Sequence, residues 1–202
     1  MSQDYFISDT HFNDPQTRPF MRTHHKDIST SEMKRLILTN WNNTVGKYDN
    51  VWHIGDVGYF SSAQEAADLI GMLNGTKYLV LGNHDFEVEQ KFDMSATEWW
   101  RSAGFKEVYP VSVLYNPFVI LSHRPQEFTN PPMFNIFGHV HMIPTYRTIT
   151  EVSCCACAER WNIKPVAYDI IEKHRLKVLD MYKKQEYNFF IEDSIDPWNR
   201  GE

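Results

Sequence analysis

The stretch Tyr78-Leu79-Val80-Leu81-Gly82-Asn83-His84-Asp85 joins a short apolar run to a cluster of polar side chains. Apolar residues bounded by a glycine are typical of a buried strand. The same pattern, an apolar run that ends in Asp, His or Asn, recurs along the chain, and it predicts further strands at residues 5–7, 51–52, 118–121 and 134–137. The chemistry of this protein is therefore expected at strand ends.

Helical patterns lie between the early strands. The first, with Met33, Ile37 and Trp41 at helical spacing, follows a start signal at residues 29–31. The second spans about residues 62–73, and the third follows Ser95. Alternating strands and helices predict an α/β layer architecture with parallel pairing, in which ligands gather at the carboxyl ends of the strands.

After Gly104 the pattern changes. Residues 108–115, a turn at Asn116-Pro117 and the next strand together predict an antiparallel hairpin that begins a second sheet. Residues 169–184 fit either a strand followed by a helix or a helix throughout.

Length and composition indicate one folded domain. The chain has 202 residues, of which 42% are hydrophobic and 14% aromatic, as in a packed globular protein. We predict a single domain over residues 1–185 and an acidic, aromatic tail over residues 186–202 that packs on it. The net charge of −6 argues against stable binding of duplex nucleic acid.

Two further features bear on the compartment. No apolar run reaches the roughly 20 residues of a membrane span, and the first residues lack a signal peptide, so no membrane partner and a cytoplasmic location are expected. Cys154, Cys155 and Cys157 are too close together to join distant segments. Small buried residues on a strand are the favoured interpretation, with thiolate metal ligands as the alternative.

The polar clusters contain ligands for divalent metal ions. Carboxylate, amide and imidazole side chains suit borderline ions such as manganese, iron, zinc or nickel. Asp56, close to Gly55 and Gly58, is the natural bridging carboxylate, because it has two oxygens and the glycines permit close approach. The candidate ligands are Asp9, His11, Asp56, Asn83, His123, His139 and His141.

In this order, the clusters resemble the signature of the calcineurin-like metallophosphoesterase superfamily: D-x-H, G-D, G-N-H-D, a lone H and G-H-x-H. The match extends from Asp9 to His141, and residues 8–12, 53–57 and 161–166 look like those of small, cap-less bacterial and phage phosphoesterases. The resemblance implies a four-layer αββα sandwich, in which two mixed β-sheets are flanked by helices.

The resemblance also implies a mechanism. A hydroxide between two metal ions attacks phosphorus, His84 acts as acid or charge stabiliser, and Asp85 fixes the orientation of the His84 ring. Manganese is the expected metal, with nickel, iron, zinc or magnesium as alternatives. One ion would be held by Asp9, His11, Asp56 and His141, and the other by Asp56, Asn83, His123 and His139.

One departure from the superfamily favours diesters. Its protein phosphatases extend the second motif to Gly-Asp-x-x-Asp-Arg-Gly, whereas this chain has Tyr59 and Phe60 at the acidic and arginine positions. We therefore expect a phosphodiesterase acting on a phosphate ester, which could be a nucleotide or a cyclic nucleotide. A phosphomonoesterase or nucleotide phosphatase, and a catalytically silent metal-binding scaffold, are the alternatives.

Several residues outside the motifs are candidates for the site. Arg22 and His24, between residues 12 and 31, and Arg124 are predicted substrate contacts. His24 also fits a solvated loop, and Arg124 also fits a simple ion pair. His53 is interpreted as a core or supporting residue rather than a ligand, because it lies within a strand.

Overall fold

A five-stranded sheet carries the first half of the chain in a computed structural model, which describes residues 2–14, 28–127 and 132–183. Strands β1 (Asp4–Ile7), β2 (Asn50–His53), β3 (Thr76–Val80) and β4 (Glu107–Tyr109) are parallel neighbours. Strand β9 (Val166–Ala167) pairs antiparallel with β1, which gives the order β4-β3-β2-β1-β9.

The second sheet has four strands in sequential order. Strands β5 (Val113–Asn116) and β6 (Val119–Ser122) form an antiparallel hairpin. Strands β7 (Phe134–Phe137) and β8 (Ser153–Cys155) then continue the sheet in parallel. Both sheets are therefore mixed, as the sequence predicts.

Five helices accompany the sheets in the described part of the chain: α1 (Thr30–Thr44), α2 (Ala63–Gly71), α3 (Glu87–Phe92), α4 (Ala96–Ser102) and α5 (Tyr168–Lys183). Helix α1 begins with a capping box between Ser29 and Glu32. Ser62 and Ser95 cap α2 and α4 in the same manner, by accepting a backbone N–H bond. The three predicted helices are confirmed.

Apolar residues on opposite faces of the first sheet enter two cores. Phe6 and Val80 face the second sheet, where they pack with residues such as Leu121 and Ile136. Residues of the other face, including Ile7, Val51 and Leu79, pack with helices α1, α2, α3 and α4. Helix α5 contacts β1 and β9, and its Ile171 and Val178 join the core between the sheets. The predicted sandwich of two mixed sheets flanked by helices is confirmed.

The structure corrects one strand and resolves one alternative. The run 108–115 is not one strand of a hairpin: Pro110 falls between β4, which belongs to the first sheet, and β5, which belongs to the second. Proline has no N–H for a strand ladder, so pairing stops there. The segment from residue 169 to residue 183 is helical throughout.

Three further predictions concern burial and range. All three cysteines are buried free thiols in or just after β8, as predicted. Among the described residues, no helix combines the length and apolar character needed to cross a membrane. The predicted tail over residues 186–202 lies outside the described residues.

Candidate metal centre

The proposed ligands come from strand ends in both sheets. Asp9 and Asp56 follow β1 and β2 of the first sheet, and His123 and His139 follow β6 and β7 of the second. Since the two sheets face each other, the carboxyl ends of their parallel strands open onto a common site.

The first cluster consists of Asp9, His11 and His141, whose candidate ligand atoms all lie within 4.8 Å of one another. Asp9 Oδ1 is 3.8 Å from His11 Nε2 and 3.6 Å from His141 Nε2. These three side chains could hold one metal ion.

The second cluster consists of Asp56, His123 and His139, again with ligand atoms within 4.8 Å of one another. Asn83 joins it, because its Oδ1 is 3.2 Å from His123 Nε2. Asp56 Oδ2 lies 3.3 Å from His123 Nε2 and 3.8 Å from His11 Nε2 of the first cluster. One carboxylate oxygen thus stands between the two clusters.

Each cluster carboxylate uses one oxygen for support and turns the other toward the histidines. Asp9 Oδ2 accepts the backbone N–H of His139 at 2.9 Å and the thiol of Cys157 at 3.3 Å. Asp56 Oδ1 accepts the backbone N–H of His84 at 2.9 Å. These bonds fix both carboxylates with an oxygen available for a cation.

Two histidines are oriented in a similar way. His123 Nδ1 is 2.9 Å from the carbonyl oxygen of Ile54, and His141 Nδ1 is 2.5 Å from a carboxylate oxygen of Glu159. Both partners only accept hydrogen bonds, so Nδ1 carries a proton in each ring. Nε2 is therefore the nitrogen that a metal ion can bind, in place of any proton held there.

Several of the proposed ligands have an unfavourable backbone conformation. Five of the seven proposed ligands have φ in the left-handed region: Asp9 at 56°, His11 at 42°, Asp56 at 57°, His139 at 69° and His141 at 47°. Each such residue costs on the order of 1–3 kcal/mol and persists where the surrounding structure imposes it. The turns thus aim consecutive side chains inward at some cost in stability.

Glycines allow the loops to approach one another. Gly55 has φ +87°, and a Cβ there would lie 2.5 Å from His123 Nδ1 and 2.6 Å from the backbone of Gly82. A Cβ at Gly82 would lie 2.2 Å from Asp56 Oδ1. Side chains at these positions would push the clusters apart.

The clusters concentrate negative charge. Burial alone would lower the pKa of His123, but its hydrogen bond with Asp56 and the charge of Asp9 raise it to about 9. Burial likewise opposes protonation of His141, yet Glu159 and Asp9 raise its pKa to about 9. A site that favours positive charge this strongly also favours a divalent cation.

Unpartnered buried atoms provide the test of whether metal ions fit. Among the residues that the structure describes, Asp9 Oδ1 and both ring nitrogens of His11 are buried and have no hydrogen-bond partner. Buried polar atoms normally have partners, and those that do not call for an explanation such as an ion. Asp9 Oδ1 and His11 Nε2 face each other at 3.8 Å within the first cluster, and His11 Nδ1 lies 3.6 Å from Asp14 Oδ2. Oxygen and imidazole atoms of this kind suit a divalent ion, so the residues fit a metal pair.

The structure corrects the predicted role of Asp85. Its buried carboxylate does not contact the His84 ring but accepts backbone N–H bonds of 2.8 Å from Asp56, 2.9 Å from Val57 and 2.8 Å from Gly82. These three bonds use both carboxylate oxygens and fix the side chain on the backbone. Burial and the charge of Asp56 raise the pKa of Asp85 to about 7, against the effect of these donors. Asp85 holds two ligand loops together.

Comparison with known proteins gives the family. The model for calcineurin-like phosphoesterases matches residues 5–198. The chain belongs to this family.

Two curated relatives agree with that membership. Uncharacterized protein MJ1445 of Methanocaldococcus jannaschii is 30% identical over 184 residues, which cover 86% of this chain and 91% of the relative. The Gene 66 protein of Mycobacterium phage L5 is 32% identical over 87 residues, which cover 42% of this chain and 41% of the relative.

A solved structure supports the fold. The crystal structure of the protein of unknown function AQ665 from Aquifex aeolicus superposes with a TM-score of 0.60 and 24% sequence identity. The superposition covers 86% of this chain and 99% of that one.

The remaining candidates in this calcineurin-like phosphoesterase are placed as follows. Arg124 is exposed, directly after His123, and its positive charge contributes to lowering the pKa of His139, after burial and the charge of His123. Arg22 and His24 lie outside the described residues. His53 is buried and 2.9 Å from Thr10 Oγ1, which confirms its interpretation as a core or supporting residue.

Sequence reasoning missed four residues that support the site. Tyr59 and Glu87 contact His84, Glu159 contacts His141, and Arg160 donates to the carbonyl oxygens of His141, Ile143 and Tyr146. Glu87 could have been found, because it lies three residues after His84 on the same short helical face. The buried pair Glu159 and Arg160 has no comparable signal in the sequence.

Proposed function

We propose that this calcineurin-like phosphoesterase is a phosphodiesterase with two divalent metal ions, manganese being the expected one. The observation that carries the proposal is the position of Asp56 Oδ2, within 3.8 Å of a histidine nitrogen in each cluster. A single carboxylate shared between two ligand sets is the arrangement that a dinuclear centre requires.

Seven side chains would hold the ions. Asp9, His11 and His141 would hold one and Asn83, His123 and His139 the other, with Asp56 shared. Bound there, the ions would polarise the phosphate oxygens and provide a nucleophile at neutral pH. The buried carboxylates Asp9 and Asp56 supply the negative charge for both.

His84 is proposed to act on the leaving oxygen. Its side chain is 41% exposed at the border of the site, and its ring centroid is 5.7 Å from that of His11. The ring is therefore within reach of both the metal clusters and a bound ester. From there it could donate a proton as the phosphorus–oxygen bond breaks, or stabilise the charge that develops.

Two features support a diester over a monoester. Tyr59 and Phe60 replace the acidic and arginine residues of the extended phosphatase motif, so the chain lacks that source of positive charge for a dianionic phosphate. Arg124 stands beside His123 and can meet one phosphate oxygen. A phosphodiester carries a single negative charge, which suits such a site. A nucleotide or cyclic nucleotide is the proposed natural substrate.

Hydrolysis by metal-stripped protein tests the proposal. Manganese, nickel, zinc, iron or magnesium is added back, and bis-p-nitrophenyl phosphate is compared with p-nitrophenyl phosphate. We expect manganese to restore faster cleavage of the diester, Asp56→Asn to abolish it, and the control Asp68→Asn on the exposed face of α2 to retain it.

Each other outcome has a definite meaning. Faster cleavage of the monoester would replace the diester proposal with a phosphomonoesterase. Metal-loaded, folded protein that cleaves neither ester would favour the silent scaffold. A His84→Ala variant with full activity would contradict the role of His84 and leave the metal centre standing.

A further inference from the structure

The His84 ring is held by two side chains that no motif includes. Its Nδ1 is 2.6 Å from Glu87 Oε1 and 2.8 Å from the hydroxyl oxygen of Tyr59. The Tyr59 and His84 rings are 5.9 Å apart between centroids. Two partners therefore converge on one nitrogen of the ring.

The chemistry of the partners assigns the protons. A carboxylate accepts hydrogen bonds and donates none, so Nδ1 of His84 must carry the proton of the short bond to Glu87. Burial and the nearby carboxylate of Glu87 raise the pKa of Tyr59, so the phenol keeps its own proton. With Nδ1 occupied, Nε2 is the nitrogen that can face a substrate.

Both partners are held by their own elements. Glu87 is the first residue of α3, directly after the 3-10 turn His84–Phe86 that carries the histidine. The backbone N–H of Tyr59 donates to the carbonyl oxygen of Phe12 at 2.8 Å, and its own carbonyl oxygen accepts from Asn13 Nδ2 at 3.1 Å. A ring held from two separately anchored sides has little freedom to rotate.

We propose that Glu87 and Tyr59 are the positioning residues of His84: they hold its ring with the protonated Nδ1 toward themselves, so that Nε2 faces the ester and, in the doubly protonated ring, carries the proton that passes to the leaving oxygen. The inference rests on the proposed function, because that function makes a phosphate ester the group that Nε2 faces. Tyr59 occupies the acidic position of the extended phosphatase motif, and Glu87, at the start of α3, supplies a carboxylate instead. Asp85 is excluded from this role by its three backbone bonds.

Nitrogen-15 NMR of the histidine side chains tests the positioning without reference to activity. We expect His84 to show a protonated Nδ1 in the wild-type protein, and Glu87→Ala to lose that signature. Glu107→Gln, an exposed glutamate on β4, serves as the control and should leave it unchanged. A wild-type His84 protonated at Nε2 alone, or a Glu87→Ala spectrum identical to wild type, would overturn the proposal.

Kinetics then test the consequence for catalysis. The substrates are aryl phosphodiesters with leaving phenols of graded acidity, because a proton donor matters most for a poor leaving group. We expect Glu87→Ala to lower kcat by about 10- to 100-fold for phenol and by roughly threefold or less for p-nitrophenol, with KM nearly unchanged. Tyr59→Phe should lower kcat with the same dependence on the leaving group but by a smaller factor. Tyr48 is an exposed tyrosine, and Tyr48→Phe should match wild type.

A double mutant separates positioning from general damage. In a His84→Ala background, Glu87→Ala should cause no further loss, because residues that act as a unit are not additive. Equal losses in both backgrounds, or losses independent of the leaving group, would assign Glu87 a structural role and overturn the inference. If wild-type protein cleaves no diester with any metal, the proposed function fails, while the NMR result still decides the positioning of the ring.

Discussion

Glu159 accepts a hydrogen bond of 2.5 Å from Nδ1 of His141, one of the proposed metal ligands. The carboxylate is buried, and its second oxygen, Oε2, has no hydrogen-bond partner in the described part of the chain. Its neighbour Arg160 donates to the carbonyl oxygens of His141, Ile143 and Tyr146. These adjacent residues therefore fix both the ring and the backbone of a proposed ligand.

We expect Glu159→Gln to weaken metal binding by about 10- to 100-fold, because the ring of His141 would lose its charged partner. Calorimetric titration of metal-stripped protein with manganese measures the change, and Glu107→Gln is the matched surface control. Unaltered affinity in a folded Glu159→Gln protein would contradict the supporting role.

Metal ions should stabilise the fold. At a concentration about 100 times Kd, manganese should add about 2.7 kcal/mol to the free energy of unfolding. For a chain of this size that corresponds to a rise in Tm of roughly 5–10 °C. Scanning calorimetry should show the rise for wild type and for Asp68→Asn but not for Asp56→Asn. A full rise in Asp56→Asn would argue against a shared carboxylate.

Two glycine substitutions should have opposite effects. A Cβ at Gly138 would lie 1.9 Å from Ser8 Oγ and 2.4 Å from Asp9 Oδ2, so Gly138→Ala should destabilise the protein by about 1–3 kcal/mol. At Gly71, the last residue of α2, a Cβ would meet nothing within 4 Å. Gly71→Ala should stabilise by about 0.5–1 kcal/mol. Urea unfolding measures both: a stabilising Gly138→Ala would contradict the close packing at Gly138, and a destabilising Gly71→Ala would contradict the open space at Gly71.

Lowering the pH should lower the free energy of unfolding through His53. Its Nε2 bonds to Thr10 Oγ1, which itself donates to the carbonyl oxygen of Val57, so Nε2 carries the proton. Its Nδ1 is buried and has no hydrogen-bond partner among the described residues, and burial lowers the pKa of His53 from 6.5 to about 3. Protonation would thus place a charge in the core.

The direction of the pH dependence follows from the protons that His53 binds in the folded and unfolded states. Below about pH 6.5 the unfolded chain binds a proton at His53 that the folded protein does not, so this contribution to stability is complete above that pH and declines as pH falls toward 3. We expect the difference in unfolding free energy between wild type and His53→Gln to shrink by up to about 1.4 kcal/mol per pH unit below pH 6.5. Urea unfolding at several pH values measures it, and a constant difference would contradict the burial argument.

Local patterns were sufficient for most elements. Ser29, Ser62 and Ser95 begin helices because their side chains accept backbone N–H bonds that no helical partner satisfies. The predicted hairpin is confirmed, but its first strand begins at Val113 rather than at residue 108, since neither propensity nor periodicity reveals that Pro110 separates two sheets. Helix α3 is short and begins directly after the 3-10 turn that follows Asn83. Its few residues show no helical periodicity separate from the Gly-Asn-His-Asp motif.

The sequence by itself determined the family, the chemistry of the ligands and their order, because these depend on residue types at strand ends and on spacing along the chain. Only the tertiary structure decided which side chains support them. Asp85 bonds to backbone amides, Glu87 and Tyr59 bond to His84, and Glu159 bonds to His141. The reason is physical: a hydrogen bond requires approach within about 3 Å and alignment, and residues distant in sequence, such as Tyr59 and His84 or Glu159 and His141, reach that geometry only when the loops that carry them pack together.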